Sequence, residues 1–111
     1  MPLLDVNGVE ARKYILEKKI VVADFWAEWC IPCRAVDEAL KRLSNIVSSP
    51  DIAFIRINIE ENPDFAAEYS VLNLPTVIVF VNGKEHDRIT GGATGIDVKV
   101  YKILRELLKK D

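Results

Sequence analysis

The chain has 111 residues, 15 Lys and Arg against 17 Asp and Glu, a formal net charge of −2 and 50% hydrophobic residues. That length allows one compact domain with a real core, spanning 1–111, and the balance excludes a disordered polyelectrolyte. No basic excess points to nucleic acid and no apolar run is long enough for a bilayer, so neither is expected as a partner.

Residues 3–6 read as a short first strand. Asn7 followed by Glu10 resembles a helix-capping pair, with a helix over 9–18. Residues 20–26 are apolar except for Asp24, the pattern of a strand buried on both faces. Val36, Leu40, Leu43 and Val47 mark one face of a helix that Ser48-Ser49-Pro50 should end. Residues 52–59, rich in β-branched side chains, read as a strand. Asn62-Pro63 reads as an N-cap and first helical residue, opening a short helix to about Tyr69.

Residues 76–81 and 86–90 flank Asn82-Gly83, a strong hairpin signal. Ile96, Val100, Ile103, Leu104 and Leu107 form the stripe of a last helix, with Lys109 and Lys110 in its final turn, where positive charge suits the dipole. The order β-α-β-α-β-α-β-β-α predicts an α/β fold. Its mixed sheet has about five strands and helices on both faces; strands joined through helices pair in parallel, and the hairpin adds an antiparallel edge.

The two cysteines of the chain, Cys30 and Cys33, are separated by Ile31 and Pro32. They lie where strand 20–26 passes into the following helix. A helix N-terminus presents unpaired N–H groups and partial positive charge, which favours the thiolate form that attacks disulfides. Cys33, one turn further in, is placed to resolve a mixed disulfide formed at Cys30, and Pro32 fixes the backbone between them. Two other readings compete. A structural disulfide closing so small a loop adds about 2 kcal/mol or less on the chain-entropy model. A zinc site needs four ligands, and His86, the single histidine, reads as a solvated hairpin residue.

The segment Asp24-Phe25-Trp26-Ala27-Glu28-Trp29-Cys30, with Pro32-Cys33, resembles the active-site segment of the thioredoxin family. Asn58-Ile59-Glu60-Glu61-Asn62-Pro63, Leu74-Pro75-Thr76 and Phe80-Val81-Asn82-Gly83-Lys84 resemble other landmarks of that family, in its order and over nearly the whole chain. The resemblance implies a thioredoxin fold and a protein-disulfide reductase that works through its own disulfide, without a cofactor or metal. It further implies a monomer with disulfide-containing target proteins and a thioredoxin-reductase-like electron donor. The Pro2–Asp5 start lacks the basic-then-apolar pattern of an export signal, so a cytoplasmic setting is expected.

Asp24 sits among Val22, Ala23 and Phe25, where desolvation raises a carboxyl pKa. The resemblance implies that it relays protons for Cys33; the other reading is a structural ion pair with Arg56, where the family usually carries lysine. Pro75 resembles the family's cis-proline, implying that backbone at Leu74 pairs with an extended substrate segment. Trp26 reads as core beside the motif. Trp29, Ile31, Leu74 and the Gly91-Gly92 turn read as a docking patch around Cys30, with Gly91 favoured by spacing as the family's loop glycine. Ile31 stands where the family usually has glycine and is expected to alter partner choice more than reaction type. Two rival functions remain: an oxidase or isomerase using the same exchange chemistry, and a non-catalytic module that holds peptides at the Pro75 groove.

Overall fold

The computed structural model describes residues 2–92 and 94–109. Within them the elements follow the expected order: β1 (Leu3–Asp5), α1 (Gly8–Glu17), β2 (Ile20–Trp26), α2 (Ile31–Ile46), β3 (Ile52–Asn58), α3 (Pro63–Glu68), β4 (Thr76–Val81), β5 (Lys84–Thr90) and α4 (Ile96–Lys109). Lys110, assigned from sequence to the last turn of α4, lies outside the described residues, whereas Lys109 occupies that turn.

The strands form one mixed sheet in the order β1-β3-β2-β4-β5. Strands β1 and β2 run parallel to β3, while β4 runs antiparallel to both β2 and β5. Antiparallel pairing thus begins one strand earlier than the hairpin alone predicts. The cause is the connection: α3 has only six residues, about 9 Å of helix, too short to carry the chain back along a seven-residue strand. The chain therefore re-enters the sheet at the end where β3 leaves it. As a result the start of α2 and the start of β4 meet at one end of the sheet, with Phe25 paired to Thr76.

Both faces of the sheet are covered. Val21, Ala23, Phe25, Ile55 and Ile57 pack with Ile15 of α1 and Phe65 of α3. Ile20, Val22, Phe54, Val77 and Val79 pack on the other side with Val36 and Leu40 of α2 and Val100 and Leu104 of α4. This double burial explains the unbroken apolar run of β2, since neither face meets water. Strand alternation puts Asp24 on the α2 side, in line with Ile20 and Val22.

Local signals explain most of the boundaries. The Asn7 side chain accepts from the Glu10 N–H at 2.8 Å and the Asn7 N–H donates to the Glu10 carboxylate at 3.0 Å, a complete capping box. Asn82 and Gly83 have φ of 51° and 84°, as a two-residue type I′ turn requires, so pairing starts at Val81 with Lys84 rather than at residue 86. Asn62 does precede α3, but its Oδ1 accepts from the Gly8 N–H at 3.0 Å and does not cap its own helix. That side chain ties α3 to the start of α1. Edge strand β5 carries exposed Lys84, Glu85, His86 and Asp87, charges that discourage pairing with another chain. Among the described residues, no helix is long and apolar enough to cross a membrane.

Candidate active site

Cys30 is the N-cap of α2 and Cys33 lies in its first turn. Their sulfurs are joined in a disulfide whose Cα atoms are 5.4 Å apart. Helix α2 begins immediately at Ile31, so the free N–H groups of its first turn surround the sulfur pair. The Cys30 N–H bonds the Ala27 carbonyl at 3.1 Å, closing the turn that delivers it from β2. Both cysteines are nearly buried, yet Trp29 and Ile31 beside them are 62% and 64% exposed. Pro32 is exposed in the first turn, a position that a residue lacking an N–H occupies without losing a helix hydrogen bond.

The Leu74–Pro75 peptide bond is cis, and Pro75 is buried at the start of β4. Its carbonyl accepts from the Gly91 N–H at 2.8 Å. Gly91 and Gly92 both have positive φ, 73° and 53°, and it is Gly91 that ties the turn after β5 to the proline loop. Leu74 departs from expectation: its side chain is half-buried against the α1–α3 core and does not extend the exposed patch. Leu72, 86% exposed on the same loop, is the apolar side chain offered to solvent. Sequence reasoning passed over it, although its place two residues before Leu74 was the available signal.

Beneath the disulfide lies a polar cluster. Asp24 is fully buried, and neither of its carboxyl oxygens has a hydrogen-bond partner. Burial is the main cause that pushes its pKa well above the usual carboxylate range; the nearby Asp37 carboxyl pushes it further up, and the Arg56 charge pulls it back. The alternative reading, an ion pair between Asp24 and Arg56, finds no hydrogen bond between them. Arg56, opposite Asp24 in the β2–β3 register, instead donates to Asp37 at 2.6 Å and to Asp5 at 2.8 Å. Its guanidinium also lies 3.9 Å from the centre of the Trp26 ring, a cation–π contact that fixes both groups. Trp26 is accordingly half-buried rather than core.

Asp37 is the residue sequence reasoning missed. It follows Cys33 by four positions on α2, so the two share a helix face; the apolar stripe through Val36 and Leu40 had claimed attention instead. A cavity of about 290 Å³ opens beside the disulfide, lined by Trp26, Cys30, Cys33, Arg34, Asp37 and Arg56 among others. Among the described residues, no group of three His, Cys, Asp or Glu side chains is placed to hold a metal.

A disulfide held between a helix N-terminus and solvent-exposed apolar side chains is built to be opened and closed by other thiols, and the chain is a thiol–disulfide oxidoreductase. The thioredoxin family model matches residues 4–102. The thioredoxin of Mycoplasma genitalium is 39% identical over 74 residues, 67% of this chain and 71% of that protein. The thioredoxin of Rickettsia felis is 35% identical over 88 residues, 78% of this chain and 83% of that one. The solved structure of Fasciola hepatica thioredoxin aligns with a TM-score of 0.78 at 31% identity, covering 96% of this chain and 98% of that one. The chain belongs to the thioredoxin family and is a protein-disulfide reductase.

Proposed function

We propose that Cys30 attacks the target disulfide and Cys33 resolves the product. In the reduced protein the Cys30 thiolate attacks one sulfur of the target disulfide, forming a mixed disulfide and expelling the other target sulfur as a thiolate. Cys33 then loses its proton and attacks the Cys30 sulfur. The Cys30–Cys33 bond forms, the bond to the target breaks, and the target leaves with two electrons and, after protonation, two thiols. Asp24 takes the Cys33 proton. The observation that carries this reading is the sulfur pair at the start of α2 beside exposed Trp29 and Ile31. That placement gives Cys30 the helix field and a surface on which a partner can sit.

The target enters as an extended segment that pairs with the Leu74 backbone beside Pro75. Trp29, Ile31, Pro32 and the Gly91-Gly92 turn surround it. The oxidised protein is reset by a thioredoxin-reductase-like donor, passing electrons on to disulfide-containing proteins. The setting is the cytoplasm, the working unit is a monomeric single domain, and the sulfur pair needs no further cofactor.

The test is reduction of several unrelated disulfide proteins by the reduced full chain, with dithiothreitol as electron source for turnover. Two new target thiols are expected per protein molecule in the stoichiometric reaction. Ile31→Gly should change relative rates among partners while leaving the product the same. Binding of targets without thiol release would instead mean a holding module, and rates left unchanged by Ile31→Gly with every partner would remove Ile31 from recognition.

A further inference from the structure

Asp24 raises a difficulty for any acid–base role. It is fully buried and does not line the cavity beside the disulfide, so a proton taken from Cys33 needs a way out. Arg56 contacts that cavity but cannot serve, because a guanidinium keeps its proton in a protein. Where the resembled family usually has lysine, this chain carries a residue that cannot pass a proton on.

Asp37 touches both sides of the problem. It lines the cavity with Cys33, and Arg56, which faces Asp24 across the β2–β3 pairing, holds the Asp37 carboxyl at 2.6 Å, so one guanidinium brings the two carboxyls together. Its side chain is 14% exposed. Arg56 holds Oδ2 at 2.6 Å, while Oδ1 is buried with no hydrogen-bond partner. The two unpartnered oxygens of Asp24 are in the same condition. One proton placed between these carboxyls satisfies an acceptor on either side, which two buried acceptors alone cannot do. The remaining charged groups are poorer stations. Asp5, from β1, is bound to the far arm of Arg56 and lines a different cavity. Glu28 and Arg34 line the cysteine cavity, but neither is among the groups acting on Asp24.

We propose that Asp37 is the proton exit of this active site, a positioning and relay residue held by Arg56 between buried Asp24 and the open cavity beside Cys33. The inference rests on the reading of Asp24 as the Cys33 base. When Cys33 attacks, its proton passes to the Asp24 carboxylate, from there to Asp37, and then to water in the cavity; no electrons move in these transfers.

The reporter is the reaction of reduced protein with one equivalent of a chromogenic aromatic disulfide, in which release of the second aromatic thiol reads the Cys33 step. Asp37→Asn is expected to slow that step by about tenfold in dilute buffer, a modest share of what acid–base catalysis supplies. Added imidazole, a mobile proton carrier, should restore the rate of Asp37→Asn, and Asp37→Glu should keep it. The parent protein should ignore imidazole, and Asp87→Asn, exposed on edge strand β5, should behave as the parent. Asp24→Asn should be slow and stay slow with imidazole, because the first acceptor is gone. If Asp24→Asn is slow while Asp37→Asn matches the parent, or is slow and unmoved by imidazole, Asp37 is not the exit. If Asp24→Asn reacts at the parent rate, the reading of Asp24 itself fails.

Discussion

Cys30→Ser is expected to lower target-disulfide reduction by about 10³-fold or more, the scale of losing a covalent nucleophile. Cys33→Ser should be equally poor at turnover but for a different reason. Its Cys30 still attacks, so the protein accumulates as a mixed disulfide with its target, visible as an adduct of the summed mass that dithiothreitol releases. The asymmetry follows from position. Cys30 caps α2 beside exposed Trp29 and Ile31, whereas Cys33 lies inside the first turn. On that placement a partner's sulfur is expected to meet Cys30 rather than Cys33. Trapping by Cys30→Ser and none by Cys33→Ser would reverse the two roles.

Asp24→Asn should stabilise the protein while impairing it. The carboxyl of Asp24 has no hydrogen-bond partner and its pKa is raised chiefly by burial. In acid, both folded and unfolded chains carry the proton and the residue costs little. As pH rises through the ordinary carboxylate range, the unfolded chain releases its proton while the folded one keeps it. Stability therefore falls with pH until the raised folded value is passed. Removing the carboxylate relieves a penalty of about 1–3 kcal/mol at mildly alkaline pH, the scale for an uncompensated buried polar group, and much less in acid. Urea unfolding at about pH 4, near the carboxylate's ordinary midpoint, and at about pH 8, well above it, measures this difference directly. A loss of stability in Asp24→Asn at the higher pH would mean that Arg56 compensates the charge after all.

Much of this was legible in the chain because local rules and tertiary packing agree. The Asn7–Glu10 box, the Asn82-Gly83 turn and the apolar run of β2 each had one sensible structural meaning, and each adopted it. The cysteine spacing announced its chemistry because a strand-to-helix junction supplies the field a thiolate needs. What escaped depends on contacts between distant residues. Asn62 looked like a helix cap, but the Gly8 N–H, 54 positions away, claims its oxygen. Arg56 offered an alternative reading of Asp24 as half of an ion pair, because the two strands were expected to be neighbours. They are, yet Asp5 and Asp37 take its N–H groups. Leu74 was read as part of the apolar docking patch because it precedes Pro75, and its side chain turns inward. The direction of β4 followed from how little chain α3 offers, a matter of length rather than of residue type.

The Arg56 contacts belong to a larger feature. The polar cluster formed by Asp24, Asp37, Arg56 and Asp5 is assembled from β2, α2, β3 and β1, and no local motif encodes it. Yet it sits under the most local motif of the chain. Reaction type was therefore readable from a few consecutive residues, whereas the polar cluster required the fold.

The most direct test of the account is the equilibrium reduction potential of the Cys30–Cys33 pair, measured by equilibrating the full chain in defined thiol–disulfide buffers and quantifying its two redox forms. A protein-disulfide reductase is expected near the reducing end of the thioredoxin-fold range, at about −270 mV. A value near the oxidising end, about −120 mV, would leave the exchange chemistry intact but contradict the direction of electron flow, making the protein a donor of disulfides.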